Sequence, residues 1–326
     1  MKVQIDGVLI VDKPEGITSM DVVRTVKRRF MVKKAGHLGT LDPFATGVLP
    51  VILNEATKLV PFLEEEPKEY EATLKLGEET NTDDLTGEIQ LRRPYDSVTP
   101  KILECTFESF MGVIEQMPPM FSAVKVNGKP LYRSARKGLE VERKKRTVRI
   151  LDLQIESISL PWVQFRVSCS KGTYIRTLAR DIGRKLGCGS HLIRLRRLRN
   201  GPFTLARAVS WETLTTCSDL GTLQSYLIDM KGALDHLPEV MGDEGLVNKI
   251  RFGREMTVRD LPPHALPIFG EREWVKVTSP RDDLVAVLRS EVRGMDIPSL
   301  DPNRVALKSL RVFRLPQERG GEVGTQ

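Results

Sequence analysis

The chain has 326 residues, enough for one sizeable core and a second, smaller one, so two domains are the natural expectation. Its 50 Lys and Arg against 43 Asp and Glu give a formal net charge of +7, a balance that suits a polyanionic partner without proving one. No apolar run approaches the roughly 18 residues of a membrane span, no signal-peptide pattern opens the chain, and Cys105, Cys169, Cys188 and Cys217 lack metal-ligand spacing, so we expect a cytoplasmic protein with free thiols and no metal.

In chain order, Val8 to Val11 reads as a buried strand, ended by Lys13-Pro14-Glu15-Gly16. Ser19 to Phe30 places Met20, Val23, Val26 and Phe30 at helical spacing, with Ser19 as the expected N-cap and Lys27, Arg28 and Arg29 in a basic last turn. The stretch from Gly36 to Pro50 follows, and it sets one carboxylate, Asp42, in a turn-forming segment directly before an apolar strand. Gly36, Gly39 and Gly47 permit backbone conformations that other residues resist, and Pro43 pushes Asp42 toward extended geometry. On spacing alone, a side chain that caps its own turn explains Asp42 at least as well as a reactive group does.

Val48 to Leu53 is apolar enough for a central strand, and Tyr70, Ala72, Leu74 and Leu76 alternate with polar residues as a half-buried one. Asn81 to Gly87 is a polar turn segment. Val126-Asn127-Gly128 signals a hairpin inside a basic excursion from about Met117 to Arg149. Val148 to Ile158 and Val163 to Cys169 read as strands, and Tyr174 to Leu186 as a helix stopped by Gly187. Strands and helices mix without a βαβ rhythm, which predicts an α+β fold with a mixed sheet. After about Leu237 short segments separated by Gly and Pro predict a small β-rich module, with strands at Trp274 to Thr278 and Leu284 to Leu288.

Basic residues concentrate twice: Arg133, Arg136, Lys137, Arg143, Lys144, Lys145, Arg146 and Arg149 in the excursion, and a second set from Lys171 to Arg199 that includes Arg176, Arg180, Arg184, Arg196 and Arg197. Each alone fits a solvated face. Together, with acidic residues displaced to Glu64 to Glu66 and Glu78 to Glu88, they predict a polarised surface that meets phosphate.

The Gly36 to Pro50 segment resembles the signature of the bacterial TruB-type tRNA pseudouridine synthases. The likeness extends to Gly7 to Pro14, Lys68-Glu69-Tyr70, Pro118 to Gly128, Gly172 to Leu178 and Leu195 to Leu198, in the family's order from about residue 5 to about residue 212. It implies a pseudouridine synthase catalytic domain over residues 1–236, with the excursion at about 117–149 as an RNA-binding loop. A PUA-like RNA-binding domain would span 237–316, a weaker likeness by position and pattern, before a disordered tail at 317–326.

The resemblance implies roles for particular residues. Asp42 would be the nucleophile, and Arg176 the arginine that pairs with it and holds it charged, which a planar guanidinium does better than lysine. Tyr70 and Tyr174 would surround the target uracil, Tyr70 also offering its phenol to the reaction, while Leu195 closes the pocket. His37 would fill the space left by the flipped base, and Lys13 would lie near the pocket as support for its loop. Arg133, Lys144, Lys145 and Arg146 would grip the RNA backbone. Without the resemblance, each has an ordinary reading: a surface arginine, core tyrosines, a core leucine, a loop histidine.

The reaction so implied breaks an N-glycosidic bond and rejoins C5 of the base to the sugar, with no redox change, so it needs no cofactor. It does need an ionised carboxylate in a pocket that excludes competing water. The partner implied is the T-arm of tRNA, met by a monomer with no guide RNA, protein partner or membrane. Rival readings are a guide-RNA-dependent synthase, a non-catalytic RNA-binding protein or RNA-folding chaperone, and a small-molecule lyase on the same turn.

Overall fold

Period-two alternation builds the centre of the main sheet: in Lys68–Leu76 the side chains of Tyr70, Ala72, Leu74 and Leu76 are buried and those between them half-buried. The computed structural model describes residues 5–64, 67–121, 125–126, 129–130, 141–262 and 266–315. The strands Gly7–Lys13 and Thr46–Leu53 are apolar on both faces, and both faces are covered. Leu9, Val11, Leu49 and Val51 join the main core, while Val8, Ile10, Val48 and Ile52 join a second cluster with Leu284 and Phe313. Fully burying one such side chain stabilises the fold by roughly 1.5–3 kcal/mol.

Among the described residues the main sheet has 11 strands. Its main path runs Val209–Ser210, Gly7–Lys13, Thr46–Leu53, Ser190–Asn200, Lys68–Leu76, Trp162–Cys169, Arg146–Ser159 and Gly112–Gln116. Pairing is antiparallel except where Val209–Ser210 meets Gly7–Lys13 and where Ser190–Asn200 meets Thr46–Leu53. The expected mixed α+β arrangement is therefore present. At the second parallel contact Arg197 lies opposite Gly47, whose φ is +102° and where a Cβ would sit 2.2 Å from the Arg197 carbonyl oxygen. Gly47 thus sets how closely the two strands approach.

The helix Ser19–Arg29 starts one residue earlier than expected of its cap. Thr18, not Ser19, is the N-cap: its hydroxyl accepts from the Asp21 N–H, and the Asp21 carboxylate accepts from the Thr18 N–H, closing a capping box. Ser19 turns inward instead, and Met20, expected on the buried stripe, is exposed while Val22, Val23 and Val26 are buried. The helix Ile175–Lys185 ends as predicted, with Gly187 at φ +82° donating its N–H to the Arg184 carbonyl.

The expected hairpin is formed by Lys125–Val126 and Lys129–Pro130, antiparallel to each other; its turn and Arg133 lie outside the described residues. The strands Gly112–Gln116 and Arg146–Ser159 pair at the neck of the excursion, Gln116 opposite Arg146. A separate five-stranded sheet holds Trp274–Thr278 and Leu284–Ser290, joined as predicted by a turn at Ser279, together with Glu239–Met241, Val305–Val312 and Met256–Thr257. The tail at 317–326 lies outside the described residues. Among the described residues, no helix is long and apolar enough to cross a membrane.

Candidate active site

The loop between Leu38 and Ala45 is held carbonyl by carbonyl. Asn200 Nδ2 donates to Leu38 O at 2.7 Å, Arg197 Nη2 to Gly39 O at 3.0 Å, and Ser19 Oγ to Leu41 O at 3.0 Å. Lys13 Nζ then reaches Pro43 O at 3.1 Å and Ala45 O at 2.7 Å, with Pro14 O at 2.8 Å completing its three donors. Ser19 also accepts from the Leu41 N–H at 2.9 Å, and Arg197 Nε holds Val48 O at 2.7 Å. All four clamping side chains are buried. Each meets an acceptor that would otherwise be desolvated, so the loop has one low-energy arrangement.

Of the expected glycines, Gly39 at φ +74° and Gly47 use the left-handed region, whereas Gly36 does not and lies in the short strand Ala35–His37. Pro43 follows Asp42 in a turn closed by the Ala45 N–H on the Asp42 carbonyl at 3.1 Å.

Asp42 projects from this loop to Arg176 on the helix Ile175–Lys185. Arg176 Nε lies 2.9 Å from Oδ2 and Nη2 lies 3.2 Å from Oδ1, a bidentate pair. The remaining donors are also used: Nη2 reaches Phe121 O at 2.8 Å, and Nη1 reaches Thr82 O at 2.9 Å and Asp84 Oδ2 at 3.3 Å. Asp84 is fixed in turn by Thr82 Oγ1, Thr86 Oγ1 and the Thr86 N–H on its other oxygen. Arg176 is only 4% exposed at its side chain, while Asp42 keeps 32%, so the carboxylate faces the cleft and its partner lies behind it.

Burial pushes the Asp42 carboxyl above its ordinary range; Arg176 pulls it down, the Asp84 charge adds to the rise, and Lys13 pulls it down further. Burial likewise pushes the Lys13 ammonium down to about 8, opposed by Asp42.

Asp42 opens into a cleft of about 230 Å³ whose lining includes Leu41, Tyr70, Tyr174, Ile175, Arg176 and Leu195. That is below the roughly 300–1,000 Å³ of a drug-sized pocket. Tyr70 stands opposite Arg197 across the strand pair and Leu195 opposite Ala72, so register alone brings both to the cleft. Burial raises the Tyr70 phenol, while Arg197 lowers it by charge and by a hydrogen bond.

The structure thus brings Asp42, Arg176, Tyr70, Tyr174 and Leu195 together. Lys13 is fully buried under the loop, with Nζ on the Pro43 and Ala45 carbonyls, and does not line the cleft. His37 does not line the cleft; its ring is pushed toward the neutral form by burial and by Arg197, and its Nδ1 is buried without a hydrogen bond among the described residues. Lys144, Lys145 and Arg146 are exposed at the neck of the excursion, Lys145 in an ion pair with exposed Glu115 at 3.2 Å.

Part of the second basic concentration is turned inward or paired, while Lys171, Lys185, Arg194 and Arg199 are exposed. Arg176, Arg180 and Arg184 recur every fourth residue along one helix stripe and pair with Asp84, Asp83 and Glu79, the acids expected to stand apart from them. Arg196 pairs with Asp12, and Arg197 is buried. Sequence reasoning also missed Ser19, Asp84, Arg197, Asn200 and Gln116 as parts of the site. Burial is what marks them, Ser19 in a helix, Gln116, Arg197 and Asn200 in strands and Asp84 in a turn, and polar residues at such positions carry no sequence signal of it. Among the described residues, no three His, Cys, Asp or Glu side chains are grouped to hold a metal ion.

Residues 27–175 match the family described as TruB family pseudouridylate synthase (N terminal domain), and residues 176–235 match the tRNA pseudouridylate synthase B C-terminal domain. The chain is 45% identical over 308 residues to the tRNA pseudouridine synthase B of Syntrophus aciditrophicus, covering 94% of this chain and 98% of that one. It is 50% identical over 232 residues to the protein of the same name from Geobacter sulfurreducens, covering 71% and 76%. Among solved structures it is similar to a chain of a Cbf5-Nop10-Gar1 complex, with a TM-score of 0.73 and 29% identity, covering 98% of this chain and 88% of that chain.

Proposed function

We propose a site mechanism for a chain that belongs to the TruB family of pseudouridylate synthases: Asp42 is the nucleophile that converts a tRNA uridine to pseudouridine. The chain is a tRNA pseudouridine synthase, an isomerase. The reaction breaks the bond between N1 of uracil and C1′ of the ribose, and forms one between C5 and C1′. The C5 proton leaves and N1 gains one, so nothing is oxidised or hydrolysed.

The observation that carries the assignment is the bidentate Arg176–Asp42 pair at the floor of the cleft. An ionised Asp42 adds to the sugar or the base, or stabilises a cationic sugar, and Arg176 keeps it ionised and aimed while its own charge stays behind the carboxylate. Tyr70 and Tyr174 flank the extruded uracil; stacking on an aromatic face is worth about 1–3 kcal/mol, which offsets part of the few kcal/mol that unstacking costs. Leu195 closes the cleft and helps exclude water. Lys13, Ser19, Arg197 and Asn200 hold the loop so that Asp42 needs no rearrangement to react.

The target we assign is the T-loop uridine, in a folded loop whose bases can be splayed out. His37 sits beside the loop as the residue that takes the place of the flipped base, and its neutral ring suits stacking or hydrogen bonding, not charge. The excursion at 117–149 grips the RNA backbone. Residues 1–236 act as the catalytic domain and 237–316 as a PUA-like RNA-binding domain, a division supported by the family match that ends at 235. The protein works as a cytoplasmic monomer, without a guide RNA or protein partner. The exposed basic neck of the excursion supports action without a guide RNA, since it offers the RNA a direct hold.

Mapping pseudouridine in an unmodified tRNA transcript incubated with the purified protein alone tests the reading. Conversion at the T-loop uridine, lost in Asp42→Asn, is the expected result. Conversion that requires a second RNA or protein, or that appears only elsewhere in the tRNA, would reject it.

A further inference from the structure

Gln116 is the last residue of the strand that leads into the excursion, and its side chain is turned away from solvent although the strand is at the sheet edge. It is 1% exposed, where its neighbour Glu115 is exposed and paired with Lys145. A buried amide needs partners for both its donor and its acceptor. Gln116 finds both on one residue: its Oε1 accepts from the Tyr174 N–H at 2.9 Å, and its Nε2 donates to the Tyr174 carbonyl at 3.2 Å.

Tyr174 is the N-cap residue of the helix that carries Arg176, and its side chain makes no capping hydrogen bond. Its N–H is among the donors a helix start leaves unsatisfied, and Gln116 supplies the missing acceptor. The same segment reaches the site again at Phe121, whose carbonyl accepts from Arg176 Nη2 at 2.8 Å. Arg143, on the way out of the excursion, donates to Pro118 O at 3.1 Å. The neck of the excursion is therefore bonded to both Tyr174 and Arg176.

We propose that Gln116 is a positioning residue for the isomerisation: by holding both backbone polar groups of Tyr174, it couples the seating of the RNA-gripping excursion to the placement of the aromatic face against the uracil. It touches neither substrate nor the reacting atoms; it acts through Tyr174. RNA that grips the excursion correctly holds the neck in place, and with it the ring of Tyr174. The proposal rests on the assignment of Tyr174 to the cleft's uracil face.

The test is a double-mutant cycle of Gln116→Met and Tyr174→Ala, read as the single-turnover rate on tRNA, with tRNA affinity and equilibrium unfolding measured alongside. Gln116→Met should slow the step about tenfold or more in the otherwise native chain, since small misplacements of a positioned group cost up to about 100-fold. In the Tyr174→Ala background the same change should cost less than about twofold, because the group it acts through is gone. Equal loss in both backgrounds overturns the coupling and leaves Gln116 a general structural residue. Tyr174→Ala at the native rate removes the uracil-face assignment itself, and the proposal with it. Where Gln116→Met does not fold, Gln116→Glu serves: its carboxylate accepts from the Tyr174 N–H but donates to the carbonyl only when protonated. Its rate relative to the native protein should rise as pH falls, and a flat ratio overturns the proposal.

Discussion

Arg176 grasps both oxygens of Asp42, with Nε to Oδ2 at 2.9 Å and Nη2 to Oδ1 at 3.2 Å, and no donor of the guanidinium is left over. Lysine offers three donors from a single point and cannot reproduce this fork. Arg176→Lys should therefore slow pseudouridine formation by about 100-fold or more, and destabilise the protein by about 1–3 kcal/mol through the acceptors left unpaired. Single-turnover rates and urea midpoints check the two parts; unchanged kinetics would remove the ion pair from the mechanism.

Asp42→Asn keeps the shape of the loop, because its carbonyls are held by Lys13, Ser19, Arg197 and Asn200 and not by the carboxylate. Turnover should fall by at least about a thousandfold, while tRNA affinity stays within a few-fold of the native protein. Retention of a tenth of the native rate would show that Asp42 is not the nucleophile.

These two residues were legible before the fold was known through the family resemblance of their motifs; spacing alone left Asp42 a turn cap and Arg176 a surface arginine, because the contacts that hold the loop come from distant residues. Asp84 was not: it lies in a polar turn whose composition matches any surface turn, and only its bridge to Leu192 carries it beneath the Arg176 helix. The same limit hid the pairing of Arg180 and Arg184 with Asp83 and Glu79. Charge counts along the chain place like with like, whereas a helix stripe laid against a turn pairs opposites. Ser19 and Thr18 are adjacent hydroxyls, and which one caps was decided by the tertiary demand of Leu41 for a partner.

The pH profile should be displaced at both ends. Burial and Asp84 raise the Asp42 carboxyl, so it loses its charge at a pH above the ordinary aspartate range, and the acid limb of the rate should lie correspondingly high. Removing the Asp84 charge with Asp84→Asn should move that limb to lower pH, and a limb that stays put or moves upward would contradict the network. At the other end, Lys13 titrates at about 8, and a neutral amine donates one hydrogen bond fewer to the loop, so the rate should fall as pH rises past 8. Stability runs the other way. With its folded pKa below the unfolded value of about 10.4, Lys13 costs stability at neutral pH, and that cost is relieved as pH rises between the two values. Lys13→Met should lack both trends.

Gly47 and Gly36 form a matched pair on the two strands that flank the Asp42 loop. Alanine at position 47 requires φ +102° and a Cβ 2.2 Å from the Arg197 carbonyl, so Gly47→Ala should cost about 3 kcal/mol or more, or prevent folding. A Cβ at position 36 would meet no heavy atom within 4 Å, and the backbone there has no left-handed φ, so Gly36→Ala should be within about 1 kcal/mol of neutral. Thermal or urea unfolding of the two variants decides it, and equal effects would mean the parallel strand pairing is not the constraint.

The excursion's charges should act chiefly on affinity, and on chemistry only through the neck that Gln116 and Phe121 bond to the cleft. Lys144, Lys145 and Arg146 are exposed, and none lines the cleft. Removing one lysine or arginine that neutralises a phosphate should flatten the slope of log affinity against log salt by about 0.9 for duplex RNA regions and about 0.7 for single strands. Lys145 is already paired with Glu115, so its neutralisation should change the slope least; an exposed pair of this kind is worth less than about 1 kcal/mol and yields readily to phosphate. A triple neutralisation that leaves the slope unchanged would place the RNA elsewhere. One that lowers the single-turnover rate at saturating tRNA would show that the neck also governs the cleft, the route that Gln116 and Phe121 provide.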